Sequence, residues 1–289
     1  MTPRIGVVGG AGQMGQWLRR FWAGRGLEVR YSDRDTALSN EDLACSADVT
    51  FVAVPIRDTP PLLGALAPLL EPGQALISIA SLMGPSAAAL STGVGEAICA
   101  HPVFGPTVRE YRDLPVVVAK LRGDRWGAWL VGELREAGLA VRESTPAEHD
   151  QAMAVVQALL HSLYVALCET MTGAGLGPVA ALDWASPTMH VQLGLIARIL
   201  GQDPALYADL VVGNAWSPAL LEDLAASLRK LASFARSGDG DAFAGAFSAA
   251  RATLGDQAAA LSERAEAALE RGPYPRNAGR ERSGPTPRW

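Results

Sequence analysis

The stretch Arg4-Ile5-Gly6-Val7-Val8-Gly9-Gly10-Ala11-Gly12-Gln13-Met14-Gly15-Gln16-Trp17-Leu18 decides the fold. A short β-branched run opens it, a glycine-rich turn follows, and an amphipathic stretch closes it, so strand, turn and helix are predicted in immediate succession. The spacing G-x-G-x-x-G falls on Gly10, Gly12 and Gly15. Gly10 would permit the tight turn, Gly12 would let the backbone approach a pyrophosphate, and Gly15 would let the helix pack closely on the sheet. Gln13 and Met14 complete a helix start that faces anionic phosphates. Glycine turns also arise for conformational reasons alone, and the context makes this one specific. Asp33 follows 18 residues after Gly15, at the end of a second predicted strand. A carboxylate there accepts ribose hydroxyls and repels a 2′-phosphate, so NAD is expected over NADP, with the adjacent Arg34 pulling the other way.

Working outward, β-branched runs alternate with Ala/Leu-rich stretches as far as Arg142, the pattern of βαβ units in a parallel sheet. Strands are predicted at Ile5–Val8, Val29–Tyr31, Val49–Val54, Ala75–Ile79, Glu96–Ala100 and Pro115–Ala119, with a helix at Met14–Ala23. Val54-Pro55 ends the third strand at the carboxyl edge, where ligands of open α/β sheets gather. From Pro146 strand signals stop and helical spacing takes over, with candidates at Ala154–Thr172, Pro187–Leu200, Pro204–Trp216, Ala219–Ser237 and Asp241–Glu270. The expected organisation is a Rossmann-type, doubly wound α/β domain over 1–143 and an all-helical domain over 144–271. A disordered tail is expected over 272–289, where four prolines fall in 18 residues.

Composition excludes several functions. Apolar residues at 49% and charged residues at 19% predict a globular chain. A net charge of −5 does not supply the basic surface that a nucleic-acid partner requires. Cys45, Cys99 and Cys168 are odd in number and widely spaced, so neither a disulfide framework nor a metal site is expected. The N-terminus lacks a secretory pattern, and apolar runs such as Pro61 to Leu70 are broken well before a membrane span, so a cytoplasmic protein with no membrane partner is expected.

Of the four histidines, His101 follows a predicted strand in Ala100-His101-Pro102-Val103-Phe104-Gly105-Pro106, again at the carboxyl edge. A neutral imidazole there can take a hydroxyl proton while hydride leaves the same carbon. Further along come Ala80-Ser81 with Gly84-Pro85, Glu148-His149-Asp150-Gln151 and Gln157-Ala158-Leu159-Leu160-His161. Ser186-Pro187, Arg198-Ile199-Leu200 with Gln202-Asp203-Pro204, and Tyr207-Ala208-Asp209 follow. In order and spacing these segments, with the glycine turn and Val54-Pro55-Ile56, resemble the prephenate dehydrogenase family over almost the whole chain.

The resemblance implies an NAD-dependent oxidative decarboxylation of prephenate to 4-hydroxyphenylpyruvate, a step of tyrosine biosynthesis. It implies His101 as the group that takes the C4 hydroxyl proton, and Ser81 as the residue that orients that hydroxyl. His161 is implied as a substrate-site histidine and Arg198 as the cation that holds a carboxylate of the dianionic substrate. Gln157 is a further candidate polar contact. From the residues alone, Arg198 could instead pair with Asp203 or Asp209, and His149-Asp150 reads as a helix-start element without direct chemistry. Met83 stands where relatives often carry lysine, and His190 where close relatives carry arginine, so two positive charges are absent. The same chemistry on 4-amino-4-deoxyprephenate or arogenate is the alternative, although amino-substrate relatives tend to replace the histidine that His101 matches. A non-catalytic NAD-binding regulator is the alternative of another class. A homodimer through the helical domain is expected, because its apolar helices exceed what one small sheet edge can cover and because relatives dimerise in this way.

Overall fold

The computed structural model describes residues 2–271; the tail expected over 272–289 lies outside them. The chain runs β1 (Ile5–Val8), α1 (Gln13–Gly24), β2 (Val29–Ser32), α2 (Asn40–Ser46), β3 (Val49–Val52), α3 (Thr59–Leu66), β4 (Ala75–Ser78) and α4 (Met83–Ala89). It continues through β5 (Glu96–Pro102), β6 (Pro115–Arg122), α5 (Arg125–Glu136) and β7 (Ala140–Glu143). These strands form one sheet in the order β2-β1-β3-β4-β5-β6-β7. The order reverses between β2 and β3, on either side of β1, where a doubly wound sheet opens its ligand crevice. All neighbours are parallel except β5 and β6, which are antiparallel. The expected all-parallel sheet is corrected at that pair, which only a short connection joins, and β7 is an additional strand. Its Ala-Val-Arg-Glu sequence is too polar and too short for a strand signal.

Alternation along each strand feeds two cores. Ile5, Val7, Val49, Phe51, Ile77, Ile98 and Ala100 pack with Trp17, Leu18, Phe21 and Trp22 of α1 and with Trp126, Leu130 and Leu134 of α5. Val8, Val52, Leu76, Ala97 and Cys99 face Leu43 of α2, Leu63 and Leu66 of α3, and Met83 of α4. A period of two, with both faces covered, is what a doubly wound sheet requires. In β5 the alternation puts His101 on the same face as Ala97 and Cys99, toward α4.

The glycine turn is tied down by contact distances. Gly9 takes the left-handed backbone, φ 76°, one residue before the position to which the sequence assigns the turn. A Cβ on Gly10 would meet the Tyr31 Cβ at 2.4 Å, and one on Gly15 would meet the Gly9 carbonyl oxygen at 2.1 Å. Gly10 and Gly15 are therefore packing glycines, and Gly9 supplies the turn.

Helices then follow without strands: α6 (Pro146–Met153), a π-helical stretch Ala154–Leu159, and α7 (Leu160–Gly173), the last two where one helix was expected over Ala154–Thr172. Beyond them lie α8 (Pro178–Ala181), α9 (Pro187–Leu200), α10 (Pro204–Val212), α11 (Ser217–Ser237), α12 (Gly240–Ala252) and α13 (Ala258–Arg271). The single helix expected over Asp241–Glu270 is broken, because Gly255 adopts φ 54° between α12 and α13. By length and hydropathy alone the run 146–173 could cross a membrane, but its first turns carry His149 and Asp150, both buried.

By packing, residues 2–158 and 205–216 form one unit, and residues 159–204 and 217–271 form the other. The change of composition near 144 therefore precedes the change of packing, because α6 and the 205–216 segment cover the sheet unit. In the second unit Tyr164, Leu193 and Ile196 are buried, with Leu167, Met171, Met189 and Ile199 around them. Many of its large apolar side chains remain exposed, among them Val165, Leu195, Phe243 and Phe247.

Gly15→Ala is expected to lower folding stability by about 1–3 kcal/mol through the clash with the Gly9 carbonyl. Gly24→Ala, where nothing lies within 4 Å of the added methyl, is expected to change it by less than about 1 kcal/mol. Urea unfolding followed by circular dichroism measures both.

Candidate active site

Strand register brings the candidate residues to one edge. Val8, Val52, Ser78 and Cys99 share a row across β1, β3, β4 and β5. The residues just beyond that row are the glycine turn, Val54-Pro55, Ser81 and His101, all at the carboxyl edge. His101 lies three strand spacings from the glycine turn, about 14 Å. It is not in a loop, as the sequence suggests, but inside β5, opposite Val117 of β6. Pairing with β6 extends the strand beyond its expected end at Ala100, through His101 and Pro102.

Against His101 stands α6. Its start is set by a capping box: the Thr145 hydroxyl accepts from the Glu148 N–H, and the Glu148 carboxylate accepts from the Thr145 N–H. Those bonds hold the Glu148 carboxyl below its ordinary range. With the first turn fixed and Pro146 inside it, His149 and Asp150 fall on the buried side of the helix. His101 Nδ1 lies 2.9 Å from His149 Nε2, and His149 Nδ1 lies 2.8 Å from Asp150 Oδ1. The Met83 N–H donates to Asp150 Oδ1 at 2.8 Å and the Gly84 N–H to Oδ2 at 2.7 Å, both from the start of α4. A Cβ on Gly84 would approach Asp150 Oδ2 to 2.9 Å, which is the structural use of that glycine. Asn214 closes the assembly, donating through Nδ2 to the Asp150 carbonyl oxygen at 2.7 Å.

His101 is 3% exposed and His149 2%. Burial, reinforced by the neighbouring His149 and opposed by Asp150, pushes the His101 imidazole down to about 3. The ring is therefore neutral throughout the physiological range, as a proton acceptor must be. Burial, with Asp150 adding to it, pushes the Cys99 thiol up to about 12, so Cys99 is a neutral part of the wall. The residues that sequence reasoning missed are His149, Asp150 and Asn214. The available signal was a His-Asp pair directly behind a capping box in an otherwise apolar helix; its partner, His101, is 48 residues away and invisible to local pattern.

The glycine turn fits a dinucleotide. Helix α1 starts with no side-chain cap and no acidic residue in its first turn, which leaves its N-terminal N–H groups and positive dipole end for an anion. Asp33 accepts from the Ala11 N–H at 2.8 Å through Oδ2 and from the Arg34 N–H through Oδ1, so it braces the turn from the end of β2. Carboxylate oxygens retain further lone pairs for ribose hydroxyls.

The other candidates are distributed as follows. Ser81 is half-buried in the short connection between β4 and α4, and Met83 is fully buried in the apolar cluster beneath α4. The side chain at 83 thus lies in the core. Gln157 lies in the π-helical stretch with its Oε1 buried and without a hydrogen-bond partner among the described residues. His161 on α7 and Arg198 on α9 belong to the helical unit. Burial lowers the pKa of His161. The Arg198 side chain is exposed, and Asp209, one of its two proposed partners, is instead paired with Arg57 at 3.1 Å.

Residues 145–249 match the family described as prephenate dehydrogenase, dimerization domain. Over 89% of its length the chain is 29% identical to the 4-amino-4-deoxyprephenate dehydrogenase of Streptomyces pristinaespiralis, 93% of which is covered. The chain is therefore similar to dehydrogenases of prephenate and its analogues along most of its length. Its similarity extends to the T-protein of Haemophilus influenzae, 28% identical over 88% of this chain and 67% of that protein. Among solved structures, Synechocystis arogenate dehydrogenase superposes with a TM-score of 0.67 at 22% identity, covering 86% of this chain and 98% of that one. Prephenate dehydrogenase from A. aeolicus, in complex with hydroxyphenyl propionate and NAD+, gives 0.65 at 16% identity, covering 88% and 98%. The sheet unit has the Rossmann fold of these solved structures.

The buried imidazole has a consequence for stability. In the unfolded chain His101 takes up a proton near its ordinary 6.5, whereas the folded ring does not until about 3. The unfolded state therefore binds more protons between those values, and stability, fully present above about pH 6.5, falls as the pH drops toward 3. Urea midpoints measured from pH 7.5 to 4.5 should decline in the wild type and decline less steeply in His101→Gln.

Proposed function

We propose that the chain oxidises prephenate to 4-hydroxyphenylpyruvate with NAD as the hydride acceptor, a step of tyrosine biosynthesis. The observation that carries the proposal is a buried, neutral His101 at the same sheet edge as an uncapped glycine-turn helix. NAD, when bound, supplies the hydride acceptor. The turn of Gly10, Gly12, Gln13, Met14 and Gly15 holds its pyrophosphate, with Val54 and Pro55 beside the turn, and Asp33 accepts from its ribose. His101 takes the C4 hydroxyl proton as the C4 hydride leaves; the bond from C1 to its carboxylate breaks, carbon dioxide departs and the ring becomes aromatic. Ser81 orients the hydroxyl, Gln157 and His161 contact substrate, and the Arg198 guanidinium holds the remaining carboxylate through paired, charge-assisted hydrogen bonds. Because aromatisation supplies the driving force, these residues mainly position C4 and remove one proton.

A second substrate reading is supported by the names of relatives, which include an arogenate and a 4-amino-4-deoxyprephenate dehydrogenase. Retention of His101 favours prephenate. The alternative of a non-catalytic dinucleotide-binding regulator gives no reason to bury a linked His-His-Asp set. Absorbance at 340 nm with prephenate, arogenate and the 4-amino analogue in parallel is expected to rise fastest with prephenate and NAD; equal inactivity on all three would remove the proposal. His101→Asn should lower kcat about 10²–10⁴-fold with NAD affinity little changed. Arg198→Ala should act mainly on substrate affinity, by about 2–3 kcal/mol.

We also propose a homodimer formed through the helical unit. The matched family is described as a dimerization domain, and Phe247 in that unit is 66% exposed. Light scattering at micromolar concentration should give twice the chain mass of 30.3 kDa; a monomer mass would count against the dimer.

A further inference from the structure

The hydrogen bonds around Asp150 have only one consistent direction. Backbone N–H groups of Met83 and Gly84 can only donate, so both carboxylate oxygens accept. His149 Nδ1, 2.8 Å from Oδ1, therefore donates as well. We take His149 as neutral, so that its one N–H is the one given to Asp150 and its Nε2 is a lone pair. That lone pair faces His101 Nδ1 at 2.9 Å, so His101 Nδ1 donates and the lone pair of His101 sits on Nε2, which takes no hydrogen bond among the described residues. The other tautomer would set two lone pairs against each other at 2.9 Å between buried rings, leaving both unsatisfied.

We propose that His149 and Asp150 are positioning residues that hold His101 with Nδ1 protonated and Nε2 bare, aiming one lone pair at the substrate hydroxyl. The proposal rests on His101 as the base. When Nε2 takes the hydroxyl proton, the new positive charge on His101 is met through Nδ1–H by the His149 lone pair and, beyond it, by the Asp150 carboxylate. The arrangement offsets at the moment of reaction the desolvation that keeps the resting ring neutral. Of the groups that face this chain of bonds, Asp150 is the one carboxylate among the described residues; the Cys99 thiol beside it is neutral.

The test uses the full-length enzyme with uniformly ¹⁵N-labelled histidine. Four histidines make the spectrum assignable with single variants. At neutral pH, without substrate, His101 should give a protonated Nδ1 and a bare Nε2, and His149 a protonated Nδ1. His149→Leu, close in size and apolar, should lower kcat about 10²-fold while the KM values for prephenate and NAD stay within about threefold, and the His101 signals should redistribute between tautomers. His149→Gln, whose amide oxygen can accept from His101 Nδ1–H, should recover at least about tenfold of that loss. A wild-type spectrum with the proton on His101 Nε2, or His149→Leu at wild-type kcat with His101→Asn inactive, overturns the positioning role alone. His101→Asn at wild-type turnover removes the base assignment and the positioning role with it.

Discussion

One carboxylate organises the polar interior of the sheet unit. Asp150 is an acceptor at both oxygens because two backbone N–H groups at the start of α4 point at it, and a backbone N–H has no second role to play. That constraint fixes the bond from His149 to Asp150 and, with the neutral His149 of the proposal, the bond from His101 to His149. It also binds three elements distant in sequence, α4, α6 and the 205–216 segment through Asn214, into the unit that carries the sheet. Buried polar groups are stabilising only when they have partners of the right sense, and both oxygens of the Asp150 carboxylate have them.

The same burial that makes His101 neutral would make it a reluctant base if it stood alone. Desolvation penalises the charged ring, and His149 adds to the penalty whenever it carries charge, while Asp150 acts in the opposite direction. Geometry rather than basicity is therefore the contribution of the site: a lone pair held in one direction at the carboxyl edge of parallel strands, where the glycine turn and Ser81 also lie. The glycine turn follows the same logic. Tyr31 and the Gly9 carbonyl leave no room for a Cβ at Gly10 or Gly15, so the turn is shaped by contact before any ligand arrives.

The helical unit is built on different terms. Its buried set is small, centred on Tyr164, Leu193 and Ile196, while side chains as large as Phe243 and Phe247 remain at the surface. Apolar area left in water is a cost that the proposed homodimer would relieve. The helices of this unit match the dimerization domain of the prephenate dehydrogenase family, so unpaired surface and family description point the same way.

Much of this was legible in the sequence. Periodicity of two and the turn at Gly9–Gly15 determined the strands, the order of elements and the dinucleotide-binding class, because those signals are local and each residue carries its own part of them. Helical spacing after Pro146 determined the second half, and His101 and Asp33 stood out by chemistry and position, while Ser81 came from the family resemblance. The antiparallel β6, the extension of β5 through His101, the burial of Met83 and the break at Gly255 were decided by neighbours that no window of sequence contains. So was the role of His149 and Asp150. Read along the chain they begin a helix, and only when folding brings that helix against β5, 48 residues earlier, do two rings and a carboxylate acquire a shared direction of hydrogen bonding. A hydrogen bond depends on distance and angle between groups, and those exist only in three dimensions.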